Sequence, residues 1–206
     1  MIKECTKGRS TVTIENIVAE KKCMSCGACS GFCPKSAIRM SYIDEEGLFK
    51  PIIDHAHCVE CGICLKCCPA IDHWKKDAII GEYKELLLAH STNGTVRHWS
   101  TSGGVINELV RFLLEKNIVD RVLMAGFDKN SKIETSGYWI TKRNDLKNNP
   151  RNYASRYVVV PLLEKLQDYD EAEKIAVVGT PCQIRAICNR GGGGQRNKDI
   201  SNWHNL

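Results

Sequence analysis

The 206-residue sequence lacks several features that would assign it to a class directly. No apolar run approaches the roughly 20 residues that a membrane-spanning helix needs, and residues 1–5 do not begin an apolar leader. The net charge is only +5, and lysine and arginine are spread along the chain rather than gathered in one run. These absences predict a cytoplasmic protein without a membrane span and disfavour nucleic-acid binding.

Cysteine, in contrast, is abundant. Eight of the 12 cysteines fall in two copies of the pattern C-x2-C-x2-C-x3-C-P, each closed by a proline, Pro34 or Pro69. The two runs contain Cys23, Cys26, Cys29 and Cys33, and then Cys58, Cys61, Cys64 and Cys68. This spacing is the bacterial [4Fe–4S] signature, so the sequence predicts two clusters and a protein that transfers electrons.

In ferredoxins with two clusters, the fourth thiolate of each run ligates the cluster of the other run. We therefore assign Cys23, Cys26, Cys29 and Cys68 to one cluster, and Cys58, Cys61, Cys64 and Cys33 to the other. Zinc sites remain an alternative, although they usually show two separated CxxC knuckles, and disulfides are disfavoured in a reducing compartment. The remaining cysteines are Cys5, Cys67, Cys182 and Cys188. Cys67 adjoins Cys68, but only Cys68 keeps the spacing, so Cys67 is predicted not to be a ligand.

The segment around the two runs predicts a ferredoxin-like domain over residues 1–76. A helix is expected over 13–20 with Thr13 as its N-cap, because apolar residues there follow helical spacing. Between the runs, apolar stretches at 37–43 and 48–53 flank a turn that contains glycine, which predicts a β-hairpin.

Residues 77–190 predict a second domain, because strand and helix patterns alternate there. Strands are expected at 86–89, 121–125 and 174–178, a helix at 105–114, and a mixture of strand and helix signals at 158–166. The predicted fold class is α+β: a ferredoxin-like two-[4Fe-4S] module followed by an α/β domain with a mainly parallel or mixed sheet. Residues 191–206 begin with four glycines and predict a flexible tail.

Two turns of this second domain are candidates for cofactor binding. Ser102-Gly103-Gly104 precedes the predicted helix, so Ser102 can cap it while the glycines leave backbone N–H groups open to a phosphate. The alternative is that these residues only cap the helix and bind no cofactor. Gly179-Thr180-Pro181 follows a predicted strand, with Thr180 as N-cap and Pro181 at the first helical position. Cys182 then lies in the first turn, either as a reactive thiolate or as a packed cysteine.

Taken in order, the double cysteine run and four further stretches resemble the family of beta subunits of coenzyme F420 hydrogenases and dehydrogenases. The stretches are 102–105, 115–120, 155–158 and 179–184. The resemblance implies FAD beside the clusters, lined by Ser102, Gly103, Gly104, Gly179, Thr180 and Pro181. It also implies an oxidoreductase that exchanges electrons with a redox partner protein or subunit and with a deazaflavin or another small molecule. No catalytic residue is assigned.

Relatives in this family continue for a further domain beyond the stretch at 179–184, so the chain is expected to be a fragment. Two other functions remain open. The first is a ferredoxin-type electron-transfer protein without flavin, and the second is an inactive truncated product.

Overall fold

The computed structural model describes residues 13–71, 83–127, 135–141, 160–170 and 172–191. Its contacts divide the chain into two compact units. The first unit comprises residues 1–71, 159–169 and 179–206, and the second comprises 72–158 and 170–178. The units interleave along the chain, whereas the sequence predicts consecutive domains. The assignment of 1–76, 77–190 and 191–206 as domains and tail stays a prediction.

The first unit begins with a short capped helix and a hairpin, as predicted. Its elements are α1 (Ile14–Ala19), α2 (Ala28–Gly31), β1 (Ile38–Ile43), β2 (Leu48–Ile53) and α3 (Ile63–Cys67). The N–H of Thr13 donates to Asn16 Oδ1 at 2.7 Å, which caps α1. β1 and β2 pair antiparallel, with Ile38 opposite Ile53. The predicted helix and hairpin are both confirmed.

Two later segments complete the first unit: a 3₁₀ helix over Leu162–Asp168 and the helix α6 over Pro181–Gly191. Part of the core of this unit is built from Ile14, Ile17 and Ile38, and the buried cysteines Cys29 and Cys68 pack with them. Over 158–166 the sequence indicates both strand and helix. In the described part of this stretch, residues 160 and 161 form neither, and the 3₁₀ helix begins at Leu162. The cysteine-rich segment is therefore packed together with chain from far along the sequence.

The second unit contains α4 (Gly94–Trp99), α5 (Val105–Glu115), β3 (Arg121–Phe127), β4 (Thr135–Ile140) and β5 (Ile175–Val178). The strand order is β4-β3-β5, antiparallel between β3 and β4 and parallel between β3 and β5. This mixed sheet, together with the helices and hairpin of the first unit, confirms the predicted α+β class. α5 buries Val110 and Leu114 against a core that includes Val122 and Ile140. Among the described residues, no helix has the length and apolarity to cross a membrane.

The predicted buried strand at 86–89 is wrong. In the described part of the chain these residues form neither helix nor strand, and Leu86 and Leu88 are 94% and 106% exposed. A short apolar run satisfies the sequence criterion for a buried strand, but burial also needs a neighbouring strand, which sequence alone does not supply. Conversely, β4 escapes sequence analysis because Thr135, Ser136 and Gly137 open it without an apolar run.

Candidate iron–sulfur centre

The two cysteine runs share one backbone shape. Ser25 and Gly27 have positive φ values of 53° and 82°, and Glu60 and Gly62 have 51° and 72° at the matching positions. Residues in this left-handed region turn the chain sharply, which curls each loop around its own cysteines. Each glycine is followed by a short helix, α2 or α3. The internal repeat of the sequence is thus also a repeat of the backbone.

We call Cys23, Cys26, Cys29 and Cys68 the first thiol site. All four line one pocket, together with apolar side chains from α1 and β1 such as Ile14, Ile17 and Met40. The fourth member comes from the second run, as the crossed assignment predicts. Four sulfur donors around an apolar pocket match the donor set of a [4Fe–4S] cluster.

Burial is the largest influence on the pKa values of these thiols. The pKa of Cys26 is raised to about 12, mainly by burial; a hydrogen bond from the Ala28 backbone lowers it, and the neighbouring thiols of Cys182, Cys68 and Cys23 raise it. Burial also raises the pKa of Cys29 and of Cys68. The protein alone therefore favours neutral thiols here. Binding of iron at this site would release these protons.

We call Cys33, Cys58, Cys61 and Cys64 the second thiol site. The pKa of Cys64 is raised to about 11, mainly by burial; a hydrogen bond from the Leu65 backbone lowers it, and the nearby thiols of Cys61, Cys58 and Cys33 raise it. Cys33 of the first run thus lies with the thiols of the second run. The structure brings the thiols together in the interleaved sets that crossed ligation requires, and the ligation itself stays a prediction.

The spacing of these side chains also bears on the zinc alternative. Among the described residues, no three Cys, His, Asp or Glu side chains are placed so that they could hold a metal ion. A structural zinc site draws four ligands around one ion, with each sulfur about 2.3 Å from it. A cubane cluster holds its thiolates further apart, on separate iron atoms. The choice between a cluster and a zinc ion therefore stays with the cysteine spacing of the sequence.

The other cysteines have different surroundings. Cys67 is fully buried, its thiol donates to the Cys64 carbonyl at 3.4 Å, and burial raises its pKa to about 12. Cys188 is exposed, and Cys5 lies outside the described residues. Cys182 Sγ is 3.1 Å from Thr180 Oγ1, and it is close enough to Cys26 to influence that thiol. The first turn of α6 therefore lies near the first thiol site.

The turn at Ser102-Gly103-Gly104 differs from its sequence prediction. Gly104, not Ser102, is the N-cap residue of α5, and no side chain caps this helix. A Cβ at Gly104 would lie 2.8 Å from Val96 Cγ1, and one at Gly103 would lie 3.1 Å from His90 Cβ. Both glycines also have positive φ values. Packing within the second unit thus explains the two glycines without a ligand.

The turn at Gly179-Thr180-Pro181 belongs to the first unit. Pro181 is the first residue of α6, as predicted, and the Thr180 N–H donates to Gln183 Oε1 at 2.8 Å. Gln183 is buried, and its Nε2 donates to the Val160 carbonyl at 2.8 Å. Sequence reasoning missed Gln183, although a glutamine three residues after a threonine is the capping-box spacing. A flavin site shared by this turn and Ser102-Gly103-Gly104 stays a prediction.

A second residue group that sequence reasoning missed belongs to the 3₁₀ helix. Its backbone and side chains contact α2, the helix that carries Cys29 of the first thiol site. The first thiol site is therefore covered by residues more than a hundred positions away in the sequence.

Comparisons with known proteins agree with this description. Residues 22–70 match the 4Fe-4S dicluster domain, and residues 86–167 match the family described as the N-terminal part of the coenzyme F420 hydrogenase/dehydrogenase beta subunit. The chain is 27% identical over 180 residues to a subunit of the F(420)H(2) dehydrogenase of Methanosarcina mazei, covering 84% of this chain and 49% of that protein. It is 25% identical over 178 residues to the coenzyme F420-dependent sulfite reductase of Methanocaldococcus jannaschii, covering 84% and 26%.

The fold and the thiol sites thus define a protein of the iron–sulfur class with a 4Fe-4S dicluster domain. More narrowly, residues 86–167 match the N-terminal part of the beta subunit of coenzyme F420 hydrogenases and dehydrogenases, which confirms the resemblance found in the sequence. The chain spans about half the length of one of these curated relatives and about a quarter of the other.

Proposed function

We propose that the chain is part of an oxidoreductase in which two [4Fe–4S] clusters relay single electrons to or from FAD. The observation that carries the proposal is the pair of interleaved thiol sets, one around an apolar pocket and one around Cys64. The names of the relatives support redox chemistry with coenzyme F420, a deazaflavin, or with another small electron carrier. A redox partner subunit and a cytoplasmic location complete the proposal.

The FAD part of the proposal depends on the family resemblance and on one structural feature. Gly179, Thr180 and Pro181 are exposed at the start of α6, an 11-residue helix. The positive end of the helix dipole favours an anionic group there, and Cys182 places this turn near the first thiol site. FAD would supply two-electron chemistry and its division into single electrons.

The residues of this chain would contribute binding and orientation. The thiolates of each site would hold iron, while the apolar lining of the first site would exclude water and so help to set the cluster potential. Thr180 and Pro181 would fix the backbone of the turn that receives the pyrophosphate. Cys182 would pack beside the cofactors rather than react with substrate.

Anaerobic purification with iron, acid-labile sulfide and flavin measured together tests the proposal. Two [4Fe–4S] clusters predict about eight iron and about eight sulfide per chain, with one FAD. Stoichiometric zinc without labile sulfide would overturn the cluster assignment. Iron and sulfide without flavin would leave the flavin part unsupported.

The flavin turn has its own test. Thr180→Val should lower the flavin content while iron and sulfide stay at the parent values, since the substitution removes a hydroxyl at the proposed phosphate turn. Thr95→Val, an exposed threonine near the start of α4, is the matched control and should keep its flavin. Cys182→Ala should retain FAD and flavin-dependent dye reduction, and loss of reduction with FAD retained would instead make Cys182 catalytic.

A ferredoxin-type electron carrier without flavin is the second candidate function. The observation in its favour is that packing alone explains Gly103 and Gly104, two of the residues expected to line a flavin site. Flavin fluorescence after anaerobic denaturation separates the two candidates, because only a flavoprotein releases the fluorophore.

A further inference from the structure

The 3₁₀ helix approaches the first thiol site so closely that only glycine fits beneath it. A Cβ at Gly31 would overlap the Leu163 carbonyl oxygen, and one at Gly27 would lie 2.6 Å from the Pro161 carbonyl oxygen. Both positions are far closer than any normal contact, and backbone atoms cannot move aside as a flexible side chain can. The two glycines therefore allow the 3₁₀ helix to lie directly on α2.

Hydrogen bonds then fix this approach at three points. The Leu163 N–H donates to the carbonyl of Cys26, a proposed ligand, at 3.2 Å. Glu164 Oε1 accepts from the Met40 N–H at 2.9 Å, and it lies 3.2 Å from Ser30 Oγ, whose single proton it shares with the Ile38 carbonyl. A carboxylate holds its donors more firmly than a neutral acceptor does. Glu164 thus connects β1 to the loop of the first site.

Gln167 adds contacts to the same serine. Its Nε2 donates to the Ser30 carbonyl and to Ser30 Oγ, both at 3.1 Å. Ser30 follows Cys29, is fully buried, and donates its own hydroxyl to the Ile38 carbonyl at 2.7 Å. Glu164 and Gln167 therefore hold the residue next to a proposed iron ligand from two directions.

The second thiol site is packed differently, since α3, which carries Cys64, contacts α6. A Cβ built at Gly62 meets no atom within 4 Å, although Gly62 has the same left-handed backbone as Gly27. The 3₁₀ helix also belongs to a different part of the sequence from the cysteine runs. Residues 162–167 belong to the match with the F420 beta subunits, whereas both cysteine runs belong to the dicluster match. The cover is thus supplied from outside the ferredoxin-like segment.

We propose that the 3₁₀ helix Leu162–Asp168 is a clamp specific to the first cluster, and that Glu164 and Gln167 are its positioning residues. The clamp keeps the Cys26–Ser30 backbone in place around the cluster and keeps water away from it. It therefore slows iron loss from the first site and holds the potential of that cluster below the value that a hydrated site would have. The inference depends on the proposed function in one respect, that the first site binds a [4Fe–4S] cluster.

The test compares Glu164→Ala, Glu164→Gln and the parent, each purified anaerobically as the full chain. Iron release to a chelator is followed in time, and the redox potentials of the clusters are measured by EPR-monitored titration. In Glu164→Ala, release from the first site should accelerate about tenfold, the factor that corresponds to losing one hydrogen bond to a charged group. The potential of that cluster should become more positive. In Glu164→Gln the amide oxygen can still accept from the same donors, so the release rate should return towards the parent value.

A Cys58→Ser chain, which should keep only the first cluster, assigns the release phase to its site. Lys165→Ala, an exposed substitution on the same 3₁₀ helix, is the control and should match the parent. If Glu164→Ala does not fold, Gln167→Ala replaces it, because Gln167 is itself exposed and donates only to Ser30 and Ile38.

Parent-like release and potential in the alanine variant would overturn the clamp, as would equal acceleration at both sites. A parent protein without iron would instead contradict the proposed function, and the two failures are thus distinguished by the parent sample alone.

Discussion

The two thiol sites have the same loop backbone and very different surroundings. In the first, Ser25 is 1% exposed and Ala28 is completely buried, and the Gly27 backbone lies against Pro161. In the second, Glu60 at the position of Ser25 is exposed, and Gly62 is open on its Cβ side. The cysteine spacing therefore determines the shape of each loop, whereas distant segments of the chain determine how deeply each site is buried.

This difference leads to a functional expectation. Buried cluster sites have lower dielectric surroundings and fewer water contacts than open ones, so two identical clusters acquire different potentials. The more open second site is the better candidate for electron exchange with a partner at the surface. The predictions below test whether the two sites are distinct, from the largest expected effect to the smallest.

The largest effect should come from exchanging the fourth ligand of either site. Cys68→Ser should remove the cluster of the first thiol site, and Cys33→Ser should remove that of the second, because each fourth thiol lies with the other run. Each variant should keep about four iron of the about eight in the parent. Chelator release and EPR should then report one remaining cluster, slow to lose iron in Cys33→Ser and fast in Cys68→Ser.

The contradictory result is the reverse pairing. If Cys33→Ser lost the slowly released cluster and Cys68→Ser the other, each run would ligate its own cluster, and the crossed assignment would be wrong.

The next effect concerns the two equivalent glycines. Gly27→Ala and Gly62→Ala each place alanine at positive φ, which costs about 1–2 kcal/mol, but only Gly27→Ala also forces a methyl group against the backbone of Pro161 and Glu164. Overpacking adds about 1–3 kcal/mol. Denaturant unfolding under anaerobic conditions should therefore show a larger loss of unfolding free energy for Gly27→Ala. Equal losses would show that the cover over the first site is not rigid.

Cys67 provides a smaller effect, because it adjoins Cys68 without belonging to either thiol site. Cys67→Ala should keep about eight iron and should lose only about 1 kcal/mol of stability, from the missing sulfur contacts and the hydrogen bond to Cys64. Iron and sulfide analysis with thermal unfolding checks both values. A loss of about four iron would make Cys67 a ligand in place of Cys68.

Sequence analysis anticipates the parts of this molecule that local patterns determine. The α1 helix and the hairpin follow from local spacing, and the thiol sets gather as the cysteine spacing suggests, although their ligation is untested. The clamp could not be predicted, because its contacts join Ser30 and Met40 to Glu164, which is separated from them by most of the chain. The wrong prediction of a strand at 86–89 has the same cause, because the burial of a strand depends on a neighbouring strand and not only on its own composition.

The smallest expected effect compares Ser25 with Glu60, which occupy matching left-handed positions. Ser25 is buried and its hydroxyl donates to the Phe49 carbonyl at 2.7 Å, so Ser25→Ala should cost about 1 kcal/mol of unfolding free energy through that hydrogen bond. Glu60 is exposed, and Glu60→Ala should change stability by less than about 0.5 kcal/mol. Denaturant titration of both variants measures the difference. Equal changes would mean that the hydroxyl of Ser25 contributes nothing to stability at the buried site. The two sites would then differ in the packing of the 3₁₀ helix on the first loop, and not in the hydrogen bonds within each loop.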